Sequence, residues 1–286
     1  MAAVTMIESG KVEAGTVYVI PRTDNSAFTH NDAQEASPHF FHIDTKSGTR
    51  EFVFGSRASN PIDQWPDPDV YTHSSGQTLS GSEMRNINRT YPGVKDGTLT
   101  EQISYAITNM INTLDIDMEM DLHEASPEYP TVNATVAHER ATAMASMGVL
   151  ELQMAGVNMS LEPSPVTLRG LTHRELGDHT NTLALLMETG NPSQGRLHGK
   201  TGEDLIITGK DKYYLKAHEL GYLYIPYDEN GAPLDMRVGR HLQGCIEYMK
   251  AFSDMYGAEK GEIIMTGIPT YEDLTTGGHT IGEYLN

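Results

Sequence analysis

The order in which strand-type and helix-type segments alternate along this chain constrains its fold more than any other feature. Short apolar or alternating runs predict strands at residues 15–21, 51–54, 115–123 and 182–187. Amphipathic stripes predict helices at residues 99–114, 136–155 and 237–256. A chain that alternates in this way forms a mostly parallel or mixed sheet with helices on its faces. We therefore expect an α/β fold.

The 286 residues show no sign of division into parts. There is no linker, no shift in composition and no internal repeat, so we expect a single domain over residues 1–286. Residues 23–93 are rich in Asn, Asp, Ser, Pro and Gly, and only residues 51–54 among them have a strand pattern. Because long ordered loops usually carry function, we expect part of a site to lie there.

The charge balance excludes several kinds of partner. Acidic residues outnumber basic ones 39 to 20, which gives a formal charge of −19. Nucleic-acid binding needs clustered Lys and Arg, and so does binding to an anionic membrane surface. No apolar run approaches the ~20 residues of a membrane-spanning helix. We therefore expect neither a nucleic acid nor a membrane as partner.

Any metal site must be built from histidine and carboxylate, because the single cysteine, Cys245, excludes a Cys-rich zinc module and an internal disulfide. His123 follows a predicted strand in the run Asp-Leu-His-Glu. Ligands of open α/β sheets bind beyond the carboxyl ends of the strands, so His123 is a candidate metal ligand. The alternative is a surface histidine at the end of a strand. His39, His42, His138, His173 and His179 lie in polar or helical contexts typical of solvated side chains.

Two further positions could carry chemistry. Arg89, next to Asn88 at the end of the long loop, offers a planar guanidinium that can bind a carboxylate with two hydrogen bonds. The alternative is an arginine that ties the loop to its neighbours. Glu188 follows four apolar residues at the mouth of a buried strand, which suits a general base. A capping or salt-bridged glutamate is the alternative there.

Taken in order, these segments resemble the zinc carboxypeptidase superfamily, and within it the succinylglutamate desuccinylase/aspartoacylase branch. The resemblance covers residues 1 to about 199 and is carried by four motifs, Gly-Thr-Val-Tyr-Val-Ile-Pro at 15–21, Asn-Ile-Asn-Arg-Thr-Tyr-Pro-Gly at 86–93, Asp-Leu-His-Glu at 121–124 and Met-Glu-Thr-Gly at 187–190. It implies a zinc-dependent hydrolase of amide bonds next to a carboxylate, either an N-acyl amino acid deacylase or a metallocarboxypeptidase. The implied substrate is a small acylated amino acid or a peptide C-terminus.

The resemblance also implies roles for individual residues. His123 corresponds to the third zinc ligand, and Asn88 and Arg89 to the pair that binds the substrate carboxylate. Glu188 corresponds to the residue that activates the zinc-bound water and then protonates the leaving amine. The further arginine that polarises the scissile carbonyl corresponds to Arg57, with Arg85 as the competing choice.

The sequence departs from the family pattern in two ways. Asn86 stands where the family has Asp, and no histidine is followed by Glu three residues later. The His-x-x-Glu motif supplies the first two zinc ligands and precedes a helix whose last turns residues 1–10 resemble. A short natural N-terminal helix explains residues 1–10 equally well. On the first reading, the chain lacks the first strands of the family fold, and one zinc ion binds only if the upstream ligands are supplied.

Two other functions remain open at this point. The chain could be a truncated, metal-free and catalytically inactive remnant that binds carboxylates, marginally stable because a sheet edge is left unpaired. It could also be a carbohydrate- or peptide-binding module unrelated to hydrolysis, which would be favoured if His123 and Glu188 proved distant in space.

Overall fold

A computed structural model describes residues 1–31 and 39–286 of the chain. Its helices are α1 (Ala2–Ser9), α2 (Leu99–Leu114), α3 (Thr142–Met154), α4 (Thr172–His179), α5 (Glu203–Thr208), α6 (Lys212–Glu219) and α7 (Leu234–Lys260). Its strands are β1 (Lys11–Ala14), β2 (Phe40–Thr45), β3 (Gly48–Val53), β4 (Val70–Thr72), β5 (Thr78–Ser80), β6 (Met118–Ala125), β7 (Ala134–Ala137), β8 (Ser160–Pro163), β9 (Leu183–Gly190) and β10 (Ile264–Thr266).

The central sheet has four strands in the order β6-β9-β7-β8. β6 runs parallel to β9, β9 antiparallel to β7, and β7 parallel to β8. β9 is central because nearly every side chain in its apolar run is fully buried. The sheet is therefore mixed, and the predicted α/β fold is confirmed at that level.

Helices cover both faces of this sheet. On one face α3 and α7 pack together over β9, and a Cβ atom at Gly148 would lie 2.3 Å from the Tyr248 ring, so glycine permits their close approach. The Tyr248 hydroxyl donates a hydrogen bond of 2.7 Å to Thr135 Oγ1. On the other face α2 and α4 enclose a smaller cluster around Tyr91 and Ala184.

Several predicted elements are confirmed by the structure. The helix at residues 99–114 coincides with α2, whose first turn is closed by a capping box between Thr98 and Glu101. The helix at 237–256 lies within α7, and the strands at 182–187 and 115–123 correspond to β9 and β6 with shifted ends. α1 ends just before Gly10, as the pattern of residues 1–10 indicates.

The prediction of a buried strand at residues 15–21 is wrong for this structure. The segment is extended, but it belongs to none of the sheets, and only Val17 and Val19 of its apolar residues are half-buried. Strand propensity alone does not make a strand, because a strand needs a neighbour to pair its backbone groups.

The single helix predicted at residues 136–155 is also partly wrong. Residues 134–137 form the buried strand β7, and α3 begins only at Thr142. The run Ala-Thr-Val-Ala is too short and too apolar for its periodicity to separate a strand from a helix.

The long loop holds more regular structure than expected. β2 and β3 form one antiparallel hairpin, and β4 and β5 form another, while β1 pairs with β10. Residues 32–38, part of the stretch predicted to be irregular, lie outside the described residues. No helix in the described ranges is long and apolar enough to cross a bilayer.

One edge of the central sheet borders a cavity. In the described part of the chain β6 pairs with β9 alone, so its other edge has no strand beside it. A cavity of about 540 Å³ lies along this edge, and its walls include residues 16–23, β6 and α7. The extended segment and the unpaired edge thus border the same space.

We expect this arrangement to be visible in hydrogen exchange. Within the described residues no backbone hydrogen bond holds residues 16–20, whereas the amides of 185–187 lie in a strand paired on both sides. Native-state exchange followed by mass spectrometry should therefore be on the order of 100-fold or more faster at 17–20 than at 185–187. Equal protection of the two segments would show that residues 16–20 pair with a strand.

Candidate functional site

The register between β6 and β9 brings two of the predicted site residues together. His123 lies directly opposite Glu188 in this parallel pair, near the carboxyl ends of both strands. Residues opposite each other in a sheet share a face, and His123 Nδ1 lies 3.6 Å from Glu188 Oε1. The wide separation that would favour an unrelated binding module is therefore not observed.

Asp121 fixes the orientation of the His123 ring. It precedes His123 by two residues in β6 and so projects from the same face, with Oδ2 2.9 Å from His123 Nε2. Asp121 Oδ2 also accepts a hydrogen bond of 2.7 Å from the Thr172 hydroxyl. The ring thus has Nε2 turned to Asp121 and Nδ1 turned to Glu188. The closer partner, Asp121, holds Nε2 and so sets the orientation of the ring.

The site is strongly acidic around one imidazole. Burial opposes protonation of His123, but Asp121 and Glu188 outweigh it and hold the pKa of His123 well above its usual value. Burial would raise the pKa of Asp121, yet His123 and Thr172 lower it. Burial and the nearby Asp121 raise the pKa of Glu119. The His123 imidazole thus lies between two acidic side chains, Asp121 and Glu188.

The loop that carries Asn88 is tied to the same centre through Thr172. Asn88 Oδ1 accepts a hydrogen bond of 2.8 Å from the Thr172 backbone N–H, while the Thr172 hydroxyl bonds Asp121. Gly170, at φ +85°, lies against the backbone of Arg89, where a Cβ atom would come 2.2 Å from the Arg89 oxygen. The N-terminal end of α4 thus links the loop to β6, and Asn88 can offer a ligand only its NH₂ group.

Arg89 and Arg57 lie on either side of Glu83. Arg57 Nη2 is 3.2 Å from both Glu83 oxygens, and Arg89 Nε is 3.6 Å from Glu83 Oε2. Burial lowers the pKa of Arg89, and the carboxylates of Glu83 and, more weakly, Glu188 oppose this shift. Arg89 and Arg57 therefore share the Glu83 carboxylate, whereas Glu188 acts on Arg89 only as a weaker charge without contact.

Arg85, the competing choice for the second arginine, has a different position. It is buried, donates two hydrogen bonds to Asp67 at 2.8 and 3.0 Å, and donates a third of 2.9 Å to the Ser59 carbonyl. These bonds tie the loop together. Of the two arginines, Arg57 is the one beside Arg89.

The side chains present do not by themselves fit a catalytic zinc ion. Such an ion needs about three protein ligands and an open position for water. Among residues 1–31 and 39–286, no group of three His, Cys, Asp or Glu side chains is placed to hold a metal. His123 is oriented as one ligand, but Asp121 and Glu188 face different nitrogens of its ring and do not converge on one point with it.

Sequence reasoning missed several residues that shape the site. Asp121 could have been found, because two residues before His123 in a strand means the same face. Thr172 and Glu83 carry no such signal, since loop packing alone brings them in. His173 and His138 were expected to be solvated, which is wrong: both are buried, and burial lowers the pKa of His173 to about 4.

The position of α4, and hence of Thr172, depends on a cluster of charged side chains. Arg174 is buried and binds Glu139 at 2.7 and 2.9 Å and Asp178 at 2.8 Å. Asp178 also accepts one hydrogen bond of 2.8 Å from Arg169, and its Oδ1 lies 3.2 Å from His138 Nε2. Burial would raise the pKa of Asp178, but these partners lower it to about 2.

We expect Asp178 to stabilise the fold in a pH-dependent way. Its folded-state pKa lies below its usual 3.8, so its contribution is complete above pH 3.8 and is lost as the pH falls toward 2. After solvent screening of this partly exposed carboxylate, Asp178→Asn should cost about 1 kcal/mol at pH 6 and almost nothing at pH 2. Urea unfolding at both pH values checks this, with exposed Asp254→Asn as control. An equal cost at both pH values would contradict it.

The chain was compared with protein-family models, with curated proteins and with solved structures, and nothing matched in any of the three.

Proposed function

We propose that this site binds the carboxylate of a small acylated amino acid or of a peptide C-terminus, and that it serves the zinc-dependent hydrolysis of the adjacent amide bond. The observation that carries the proposal is the strand register that sets His123 against Glu188 near the carboxyl edge of the sheet. An imidazole, a carboxylate and a nearby guanidinium are the groups that this reaction class needs.

Recognition of the carboxylate falls to Arg89 and Arg57, with the Asn88 amide as an additional donor. Hydrogen bonds between guanidinium and carboxylate are about twice as strong as neutral ones. Arg89 is mostly buried, and burial strengthens its attraction for an anion because less water screens the charge. Arg57, which is more exposed, then supplies the second cation.

Proton transfer falls to Glu188. Its Oε1 faces the His123 ring, and its Oε2 is buried with no hydrogen-bond partner among the described residues. An unpartnered carboxylate oxygen can take a proton from a water molecule and hand it to a leaving amine. Zinc would supply a Lewis acid there only if ligands other than those of the described residues completed its coordination. His123 is the one ligand that the described residues offer it.

A second function has its own support. The His123 ring is engaged by Asp121 and Glu188, and the described residues contain no group of three metal ligands. A protein of this kind binds carboxylates through Arg57 and Arg89 and hydrolyses nothing.

Zinc content and turnover separate the two functions. If the chain is the hydrolase, it should purify with near one zinc ion and hydrolyse an N-acetyl amino acid, and Glu188→Gln should abolish turnover while the zinc remains, since an amide cannot accept the proton. Glu151→Gln on α3 serves as control. Metal analysis and an amine-release assay give the readouts. A chain with no zinc and no turnover supports the second function, and full turnover by Glu188→Gln moves proton transfer elsewhere.

Carboxylate binding is common to both functions and can be tested alone. Arg89→Ala should weaken binding of N-acetylglycine by about 10- to 100-fold, because it removes a charged hydrogen bond. Isothermal titration calorimetry measures the change, with N-acetylglycinamide as the neutral ligand and Lys216→Ala on α6 as a variant of equal charge. An unchanged affinity for N-acetylglycine would exclude Arg89 as the carboxylate anchor.

A further inference from the structure

The space between the two proposed carboxylate-binding arginines holds a carboxylate of the chain itself. Glu83 lies in the short turn Gly81–Arg85, with both oxygens 3.2 Å from Arg57 Nη2 and Oε2 3.6 Å from Arg89 Nε. The Asn86 side-chain amide donates a further hydrogen bond of 2.8 Å to Oε2. Glu83 therefore makes the contacts that a ligand carboxylate would make.

This arrangement differs from the neighbouring pair of Arg85 and Asp67. That pair has two aligned hydrogen bonds of 2.8 and 3.0 Å, and its arginine is buried. The Glu83 side chain is 28% exposed and Arg57 is 57% exposed, so water can solvate both if they part. Ion pairs that are partly solvated and not closely hydrogen-bonded contribute little to stability.

We propose that Glu83 is an internal competitor for the carboxylate site, which a ligand displaces when it binds. The proposal rests on the proposed function, because it requires Arg57 and Arg89 to be the carboxylate anchors. Displacement moves Glu83 into water while the two arginines keep an anionic partner. The exchange costs little when the ligand carries a carboxylate, and it is unfavourable when the ligand is neutral, because the arginines would lose their counter-charge.

Glu83 would thereby set the specificity of the site as well as its affinity. A neutral ligand leaves Glu83 in place between the arginines and gains nothing from them. A carboxylate ligand competes with Glu83 and replaces one charged contact by another. The site therefore selects anionic ligands at the expense of part of their affinity.

The opposite role for Glu83 is to hold the two arginines in position, and the same variant distinguishes the roles. If Glu83 competes, Glu83→Gln should bind N-acetylglycine roughly two- to fivefold more tightly than the unmodified chain, the range expected for loss of a partly solvated ion pair. If Glu83 positions the arginines, the same variant binds more weakly.

The experiment is isothermal titration calorimetry of the full chain with N-acetylglycine and with N-acetylglycinamide. Glu83→Gln and Glu83→Ala are compared with Glu13→Gln, which changes the charge equally at an exposed pair with Lys11. The gain should appear for the acid and not for the amide. It should also disappear in the double variant Glu83→Gln/Arg89→Ala, because the arginine for which Glu83 competes is then absent.

The possible results distinguish the competitor role of Glu83 from the proposed function of the site. If the unmodified chain binds N-acetylglycine and both Glu83 variants bind it equally or more weakly, the competitor role is overturned. The proposed function is not affected by that result. Binding that appears only when Glu83 is replaced supports the competitor role in its strongest form. Failure of the unmodified chain and of both variants to bind N-acetylglycine overturns both.

Discussion

The parallel pairing of β6 with β9 is the constraint on which the rest of the site depends. Side chains alternate between the faces of a sheet, so a slip of one residue in this register would move His123 to the face opposite Glu188. The register is held by β9, whose apolar side chains are buried under α3 and α7 on one side and under α2 and α4 on the other. Core packing on β9 thus determines where the polar ends of both strands meet.

The charges at this edge are balanced by groups from distant parts of the chain. β6 contributes the carboxyl groups of Glu119 and Asp121, and β9 contributes that of Glu188, so the sheet itself supplies mainly acidic side chains. The positive charge comes from the loop arginines Arg57 and Arg89. Because Thr172 bonds both Asn88 and Asp121, the position of the loop is linked to the position of the strand. The site is therefore one hydrogen-bonded unit built across three segments.

The arginines of the loop form ion pairs that differ in their burial. Arg85 and Asp67 are enclosed and doubly hydrogen-bonded, and breaking such a pair would leave a buried charge without its partner. Arg57 and Glu83 are partly in water, where separation costs little. Two arginines that look equivalent in the sequence thus differ in whether a ligand can reach them.

The sequence by itself determined the elements whose pattern is local. The amphipathic stripe of residues 99–114 was sufficient to predict α2, and the apolar run at 182–187 was sufficient to predict the buried strand that the structure shows as β9. The charge of the chain and its single cysteine likewise limited the classes of partner and of metal site. The same patterns predicted that His123 and Glu188 lie near strand ends. They did not predict the distance between the two side chains.

Only the tertiary structure decided what depends on neighbours. Residues 15–21 have the composition of a strand but pair with no strand in the described part of the chain. Residues 134–137, in contrast, form a strand because β8 and β9 flank them. Asp121, Thr172 and Glu83 join the site through strand register and loop packing, and the latter two leave no periodic signal in the sequence. Local propensities favour a helical or an extended conformation for each segment. Hydrogen-bond partners and buried neighbours, which are distant in sequence, determine where each side chain lies.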